Sequence, residues 1–144
     1  MRLKIIPEGG FLRENLPPIA REVCASTSSL YSSVGFYPPW VGYLAYVEDE
    51  CIGACSFKSS PRDGRVEIAY FTFPGFENRG FATRMASELL EIARWSLKSG
   101  HVFAQTLPKV NPSNHILKKL GFDLKETKMH PEDGEVWEWE FELK

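Results

Sequence analysis

Between Pro74 and Arg84 the chain reads PGFENRGFATR, directly after an almost continuously apolar stretch from Val66 to Phe73. Downstream, Ala82, Met85, Ala86, Leu89, Leu90, Ala93 and Leu97 recur at helical spacing. Gly80 and Ala82 therefore stand in the first turn of a helix that follows a strand. The backbone N–H groups of such a turn have no intrahelical partner, and the helix dipole there is positive. Small side chains let an anion approach those N–H groups, and Arg79 and Arg84 add positive charge. Asn78, Arg79, Gly80, Phe81, Ala82, Thr83 and Arg84 thus form a candidate diphosphate cradle. An ordinary strand-to-helix connection would carry the same residues. No G-x-x-x-x-G-K-[ST] and no G-x-G-x-x-G with an acidic residue at Rossmann spacing is present, so the better-known nucleotide-phosphate motifs do not apply.

Arg79-Gly80-Phe81-Ala82-Thr83 after a hydrophobic strand resembles the coenzyme A pyrophosphate motif Q/R-x-x-G-x-G/A of the GNAT (Gcn5-related N-acetyltransferase) superfamily. A second block, Thr106 to Phe122 (TLPKVNPSNHILKKLGF), is similar to the Asn…Ser…K-L-G-F helix of that family. The order and spacing of the two blocks also match. The likeness is closest to the branch that contains the ribosomal-protein N-terminal acetyltransferases (RimJ/RimL-like). It is strongest over Val66–Phe122 and weak near the N-terminus. The resemblance implies an N-acetyltransferase that moves the acetyl group of acetyl-CoA to a primary amine, on a small molecule or a protein N-terminus, by direct attack and without a metal.

Acetyl transfer from a thioester to an amine needs a neutral amine, a stabilised carbonyl oxygen and a thiolate that can leave. By the resemblance, the strand before the cradle splays from its parallel neighbour at a bulge, and the pantetheine arm bonds to free backbone there. Tyr70-Phe71-Thr72-Phe73 is the strand segment this implies, with Phe71, Thr72 and Phe73 as cofactor-binding positions; the aromatic side chains mostly read as core packing. Glu67 interrupts the apolar strand near the expected splay. A carboxyl partly buried among apolar neighbours has a raised pKa and suits a general base. It could equally lie on the solvent face or pair with Arg65. Leu117 occupies the place where many family members carry a tyrosine acid, and it cannot donate a proton. Ser113, near the start of the following helix, is the remaining candidate to hydrogen-bond the leaving sulfur; its other reading is a helix-start residue. Asn111 is expected as helix cap and cofactor neighbour, and Asn114 as a partner of the pantetheine amide. Glu77 replaces Gln or Arg in the pyrophosphate motif and is expected to point away. Tyr31, Phe36 and Tyr37 are candidates to line the amine pocket or enclose a cation.

The elements that must position these residues follow from local signals. Arg2–Ile6 reads as a strand. Pro17-Pro18 can start a helix with Ile19, Val23 and Cys24 as a thin stripe. Ser26 to Pro39 reads as a loop with at most a short helix. Val41–Val47, Ile52–Lys58 and Arg65–Phe73 read as strands joined by turns. A long helix runs from about Gly80 to Lys98 with Gly100 as its C-terminal cap. Val102–Thr106 is a strand, Asn111 an N-cap before Pro112, and Gly121 the end of that helix. Trp137, Trp139, Phe141 and Leu143 alternate with Val136, Glu138, Glu140 and Glu142, as in a half-buried strand. Strands joined by tight turns must be antiparallel, whereas the strand–helix–strand step after Phe73 must be parallel. The fold class is α/β with one mixed sheet. The resemblance makes it the GNAT fold: a mostly antiparallel sheet with a central parallel pair and flanking helices.

A chain of 144 residues fits one domain. A net charge of −2 offers no basic footprint for nucleic acid. No apolar run suits a membrane span or a secretory signal. Cys24, Cys51 and Cys55 read as buried thiols of a reducing cytoplasm. No His/Cys cluster has metal-ligand spacing. Three glutamates on the last strand argue against dry edge pairing there, and a monomer or a homodimer both fit. Two other classes remain open: a non-catalytic acyl-CoA binder of the same fold, supported by Leu117, and a nucleotide-binding module, disfavoured because the cradle has no lysine.

Overall fold

The computed structural model describes residues 1–109 and 111–143. Val110, inside the second motif block, and Lys144 lie outside the described residues. One seven-stranded sheet organises the molecule in the order β1-β2-β3-β4-β5-β7-β6. β1 (Arg2–Ile5), β2 (Gly42–Val47), β3 (Glu50–Phe57) and β4 (Arg65–Thr72) form an antiparallel half. β5 (Gly100–Thr106), β7 (Gly134–Leu143) and β6 (Asp123–His130) form the other half, also antiparallel. The halves join through the β4–β5 pair, which is parallel as a crossover helix requires. The mixed sheet with a central parallel pair is as expected.

That crossover is α2 (Phe81–Leu97), whose Met85, Ala86, Leu89, Leu90 and Ala93 are buried against the sheet. Its helical stripe is the one legible in the sequence. Its end is not: Lys98, at φ 66°, caps the helix, and its N–H bonds Arg94 O. Gly100 instead begins β5, where a Cβ would stand 2.5 Å from Gly64 O. α3 (Pro112–Leu120) starts with Asn111, whose side chain accepts from Asn114 N, and ends at Gly121 in the left-handed region.

Two expectations require correction. Residues 26–34 are not loop but the second half of α1 (Pro18–Val34). Serine-rich sequence has modest helix propensity, yet Ala20, Cys24, Thr27 and Tyr31 recur on one helical face and dock on the sheet. Tertiary burial decides against local propensity here. The last strand, moreover, is not the sheet edge. β7 lies between β5 and β6, and its Glu138 is buried rather than exposed. The edge on that side is β6, open to solvent over most of its length; β1 is the other edge.

Candidate active site

β4 and β5 pair only from Arg65–His101 to Glu67–Phe103. Beyond that point β4 stays on β3 to Thr72, and β5 stays on β7 to Thr106, so a wedge opens between them. The β3–β4 register is unbroken, so the strands part without the expected bulge in β4. Lys58 N donates to Glu67 O, and Phe73 N donates to Ile52 O, both at 2.9 Å. The odd-numbered residues of β4 therefore turn their backbone groups to β3. Tyr70 and Thr72 turn theirs into the wedge, where β5 offers no partner. Thr72 thus presents backbone there as expected. Phe71 and Phe73 do not: their amides face β3, and Phe73 is buried edge-on against Phe71.

The wide end of the wedge runs into the first turn of α2. Gly80, at φ 79°, takes the N-cap position, and no side chain caps the helix. Arg84 N→Gly80 O, at 3.2 Å, is the first bond of the helix. The N–H groups of Phe81, Ala82 and Thr83 are thereby left for an external acceptor. A Cβ placed on Gly80 would meet nothing within 4 Å, so the space over this turn is open. Asn78 is left-handed at φ 63°, Arg79 stands 5.8 Å from the Phe76 ring, and Arg79 and Arg84 are exposed. Glu77 is exposed too, with no ion pair among the described residues. An uncapped, open helix start beside a strand with free backbone fits a ligand that carries a diphosphate and an amide-bearing arm.

Glu67 sits at the apex of the wedge. It is partly buried, and burial, as the main cause, pushes its carboxyl above the ordinary range. Lys58 and, less strongly, His130 and Arg65 pull it back down; Glu138 pushes it further up. Arg65 is not its ion-pair partner, contrary to the alternative weighed from sequence. The Arg65 Nη2 group lies 3.2 Å from Glu138 Oε2 and 3.3 Å from Glu140 Oε2. Among the described residues Glu67 has no ion pair and no side-chain hydrogen bond.

Across the wedge, the Tyr70 hydroxyl lies 2.9 Å from Ser113 Oγ and ties β4 to the start of α3. Burial raises the Tyr70 pKa, and the bond to Ser113 offsets part of that. From sequence Tyr70 belongs to the arm-binding strand segment, but its side chain reads as core packing, because an aromatic residue in an apolar strand looks like core. Leu117 is fully buried and serves as packing.

Two expected site residues, Asn114 and Tyr31, are instead committed to the fold, and a third, Asn111, takes the cap position expected of it. Asn114 is buried; its amide Nδ2 donates to the Leu107 and Lys109 carbonyls, and its Oδ1 accepts from Thr106 and from Trp139 Nε1. With its donors and acceptor used internally, it locks the β5–α3 loop and has no amide left for a pantetheine arm. Asn111 Oδ1 caps α3 at 2.9 Å from Asn114 N. Tyr31 is buried; its hydroxyl donates to Ile6 O and accepts from Gly42 N, each at 2.9 Å. It therefore cannot line an open amine pocket. Phe36 packs edge-on to Tyr31 at 5.0 Å, and only Tyr37, 61% exposed, keeps a free aromatic face on that loop.

The three cysteines are buried free thiols. Among the described residues no helix is long and apolar enough to cross a membrane.

Residues 20–123 match the family model described as the acetyltransferase (GNAT) domain. The chain is similar in structure to RimL, a ribosomal L7/L12 alpha-N-protein acetyltransferase solved with coenzyme A (TM-score 0.68, 16% identity, 87% of this chain and 72% of that one). It is also similar to yncA of Salmonella typhimurium solved with acetyl-CoA (TM-score 0.65, 15% identity, 92% and 78%). A third is a ribosomal-protein-alanine N-acetyltransferase of Brucella melitensis (TM-score 0.65, 17% identity, 85% and 78%). No curated protein sequence matches the chain.

Proposed function

The chain belongs to the acetyltransferase (GNAT) family, and on that premise we propose that it is an N-acetyltransferase acting on a primary amine. The amine belongs to a small molecule or a protein N-terminus; names such as ribosomal-protein-alanine N-acetyltransferase among similar structures favour the second. One domain spans the chain and works in the reducing cytoplasm, in keeping with its buried free thiols. A monomer or a homodimer is compatible with the open β6 edge.

When bound, acetyl-CoA supplies an activated acetyl group on a good leaving thiol. The chain supplies the rest. The N–H groups of Phe81, Ala82 and Thr83, with Arg79 and Arg84, hold the diphosphate. The Tyr70 and Thr72 backbone groups hold the arm, and a Tyr70 N–H in the wedge is a donor for the carbonyl oxygen as charge develops. Glu67 takes the amine proton, directly or through one water. The Ser113 hydroxyl donates to the departing sulfur, with the Tyr70 phenol donating to Ser113 Oγ behind it. The observation that carries this reading is the wedge of unpaired β4 backbone opening onto an uncapped helix start.

Thermal unfolding with acetyl-CoA, CoA or ATP, on wild type and Gly80→Val, tests it. Ligand at about 100 times its dissociation constant adds roughly 2.7 kcal/mol. We expect a rise of several degrees with both CoA species, none with ATP, and none in Gly80→Val. A Cβ at Gly80 meets nothing within 4 Å, but at φ 79° a valine strains the turn itself, so the variant removes the cradle by side-chain bulk and by altered backbone together, and its own unfolding transition shows that the rest of the fold is kept. Absence of a shift with well-folded wild type would refute the assignment. A shift without turnover on any amine would favour a non-catalytic acyl-CoA binder, the reading suggested by Leu117.

A further inference from the structure

Glu138 is 2% exposed, in a strand where sequence alternation places it on the solvent side. A carboxylate that deep is costly unless paired. Its Oε2 accepts from Arg65 Nη2 at 3.2 Å, and Lys128 Nζ stands 3.3 Å from Oε1, out of hydrogen-bond alignment. Arg65 is held further by Glu140 at 3.3 Å and lies 4.3 Å over the Phe103 ring. Arg65 and Glu67 are two residues apart on one strand, so their side chains rise from the same sheet face roughly 7 Å apart. An arginine at that distance is long enough to fork onto Glu67. The two β7 carboxylates draw it the other way.

We propose that Glu138, assisted by Glu140, is a positioning residue: it anchors Arg65 on the β7 side and keeps the guanidinium off Glu67, which stays a free carboxylate at the wedge apex. The catalytic meaning rests on Glu67 being the base; the anchoring itself can be measured without turnover. The groups that face Glu67 are Lys58 just after β3, Arg65 on its own strand, Glu138 from β7 and His130 from the β6–β7 hairpin. Arg62, Asp63, Ser59 and Phe103 line the same cavity of about 240 Å³.

The test is a titration of the Glu67 carboxyl by ¹³C NMR, with neither acceptor nor cofactor present. Wild type, Glu138→Gln, Arg65→Met and the double variant are compared. Glu138→Gln keeps the shape but weakens the anchor, so Arg65 turns to Glu67 and the titration midpoint falls. Losing the like charge of Glu138 lowers it in the same direction. The Arg65→Met background separates the two: there the drop caused by Glu138→Gln should shrink by at least half. An unmoved midpoint in Glu138→Gln, or a drop of equal size in both backgrounds, overturns the proposal. Should Glu138→Gln not fold, the same four-way comparison with Glu140→Gln, a more exposed site, decides by the same criteria. A positive result combined with no acetyl-CoA response would leave the anchor standing and sink the acetyltransferase reading instead.

Discussion

Glu67 illustrates how a single residue trades stability for chemistry. Its carboxyl titrates above the ordinary glutamate range because of burial. Above the unfolded-state value the folded protein therefore bears the cost of ionising it, and below that value both states are protonated and the cost vanishes. Glu67→Gln should accordingly stabilise the protein at neutral pH and change nothing in acid, as read from urea midpoints at several pH values. The same substitution should lower kcat on the order of 100-fold with acetyl-CoA affinity nearly intact. In wild type, kcat/KM should fall on acidification through a midpoint above that of free glutamate. Unchanged kcat in Glu67→Gln would remove the residue from the mechanism. Glu67 was legible in the sequence as an acid breaking an apolar strand. The Tyr70 side-chain contact was not, because its bond to Ser113 joins residues from two elements brought together only by the crossover.

At the scale of elements, the α2 start and the α3 cap were readable, since both rest on local backbone needs: a small residue with positive φ, and a side chain that bonds its own helix. Asn114 was misread because a polar residue in a motif block looks like a ligand contact, whereas its partners come from β5, the following loop and β7. Asn114→Ala would leave the Lys109 carbonyl and the buried Thr106 hydroxyl without their Asn114 partner, while Trp139 Nε1 keeps Thr106 Oγ1 and the Leu107 carbonyl keeps Lys109 N. A loss of about 2–3 kcal/mol is expected from such unsatisfied buried groups, measured by denaturant unfolding. A stability unchanged within ~0.5 kcal/mol would mean that the network is not a structural lock. α1 was underestimated for a related reason: its stripe of Ala20, Cys24, Thr27 and Tyr31 is legible only if weak propensity is discounted in favour of burial.

For the whole molecule, the two half-sheets meet along three residue pairs, from Arg65–His101 to Glu67–Phe103. A ligand in the wedge would complete hydrogen bonds that the sheet itself leaves open. Amide exchange should then split by parity along β4. The amides of Ala69 and Phe71, turned to β3, should be slow with and without CoA. Those of Tyr70 and Thr72 should be fast in the free protein and slow when CoA is bound. Equal protection of both sets in the free protein would contradict the open wedge.

Local sequence sufficed for the mixed α/β sheet, the parallel step, the glycine turn into α2 and the acid within β4. Each depends on periodicity, turn chemistry or a local backbone requirement, and these act between residues close in the chain. Tertiary structure decided which strand forms the edge, that Asn114 and Tyr31 are consumed by the fold, that Tyr70 meets Ser113, and that Glu138 rather than Glu67 takes Arg65. Those outcomes are settled by competition among polar groups far apart in sequence for the same buried partners. The winner depends on distance and desolvation, and neither exists until the sheet has closed.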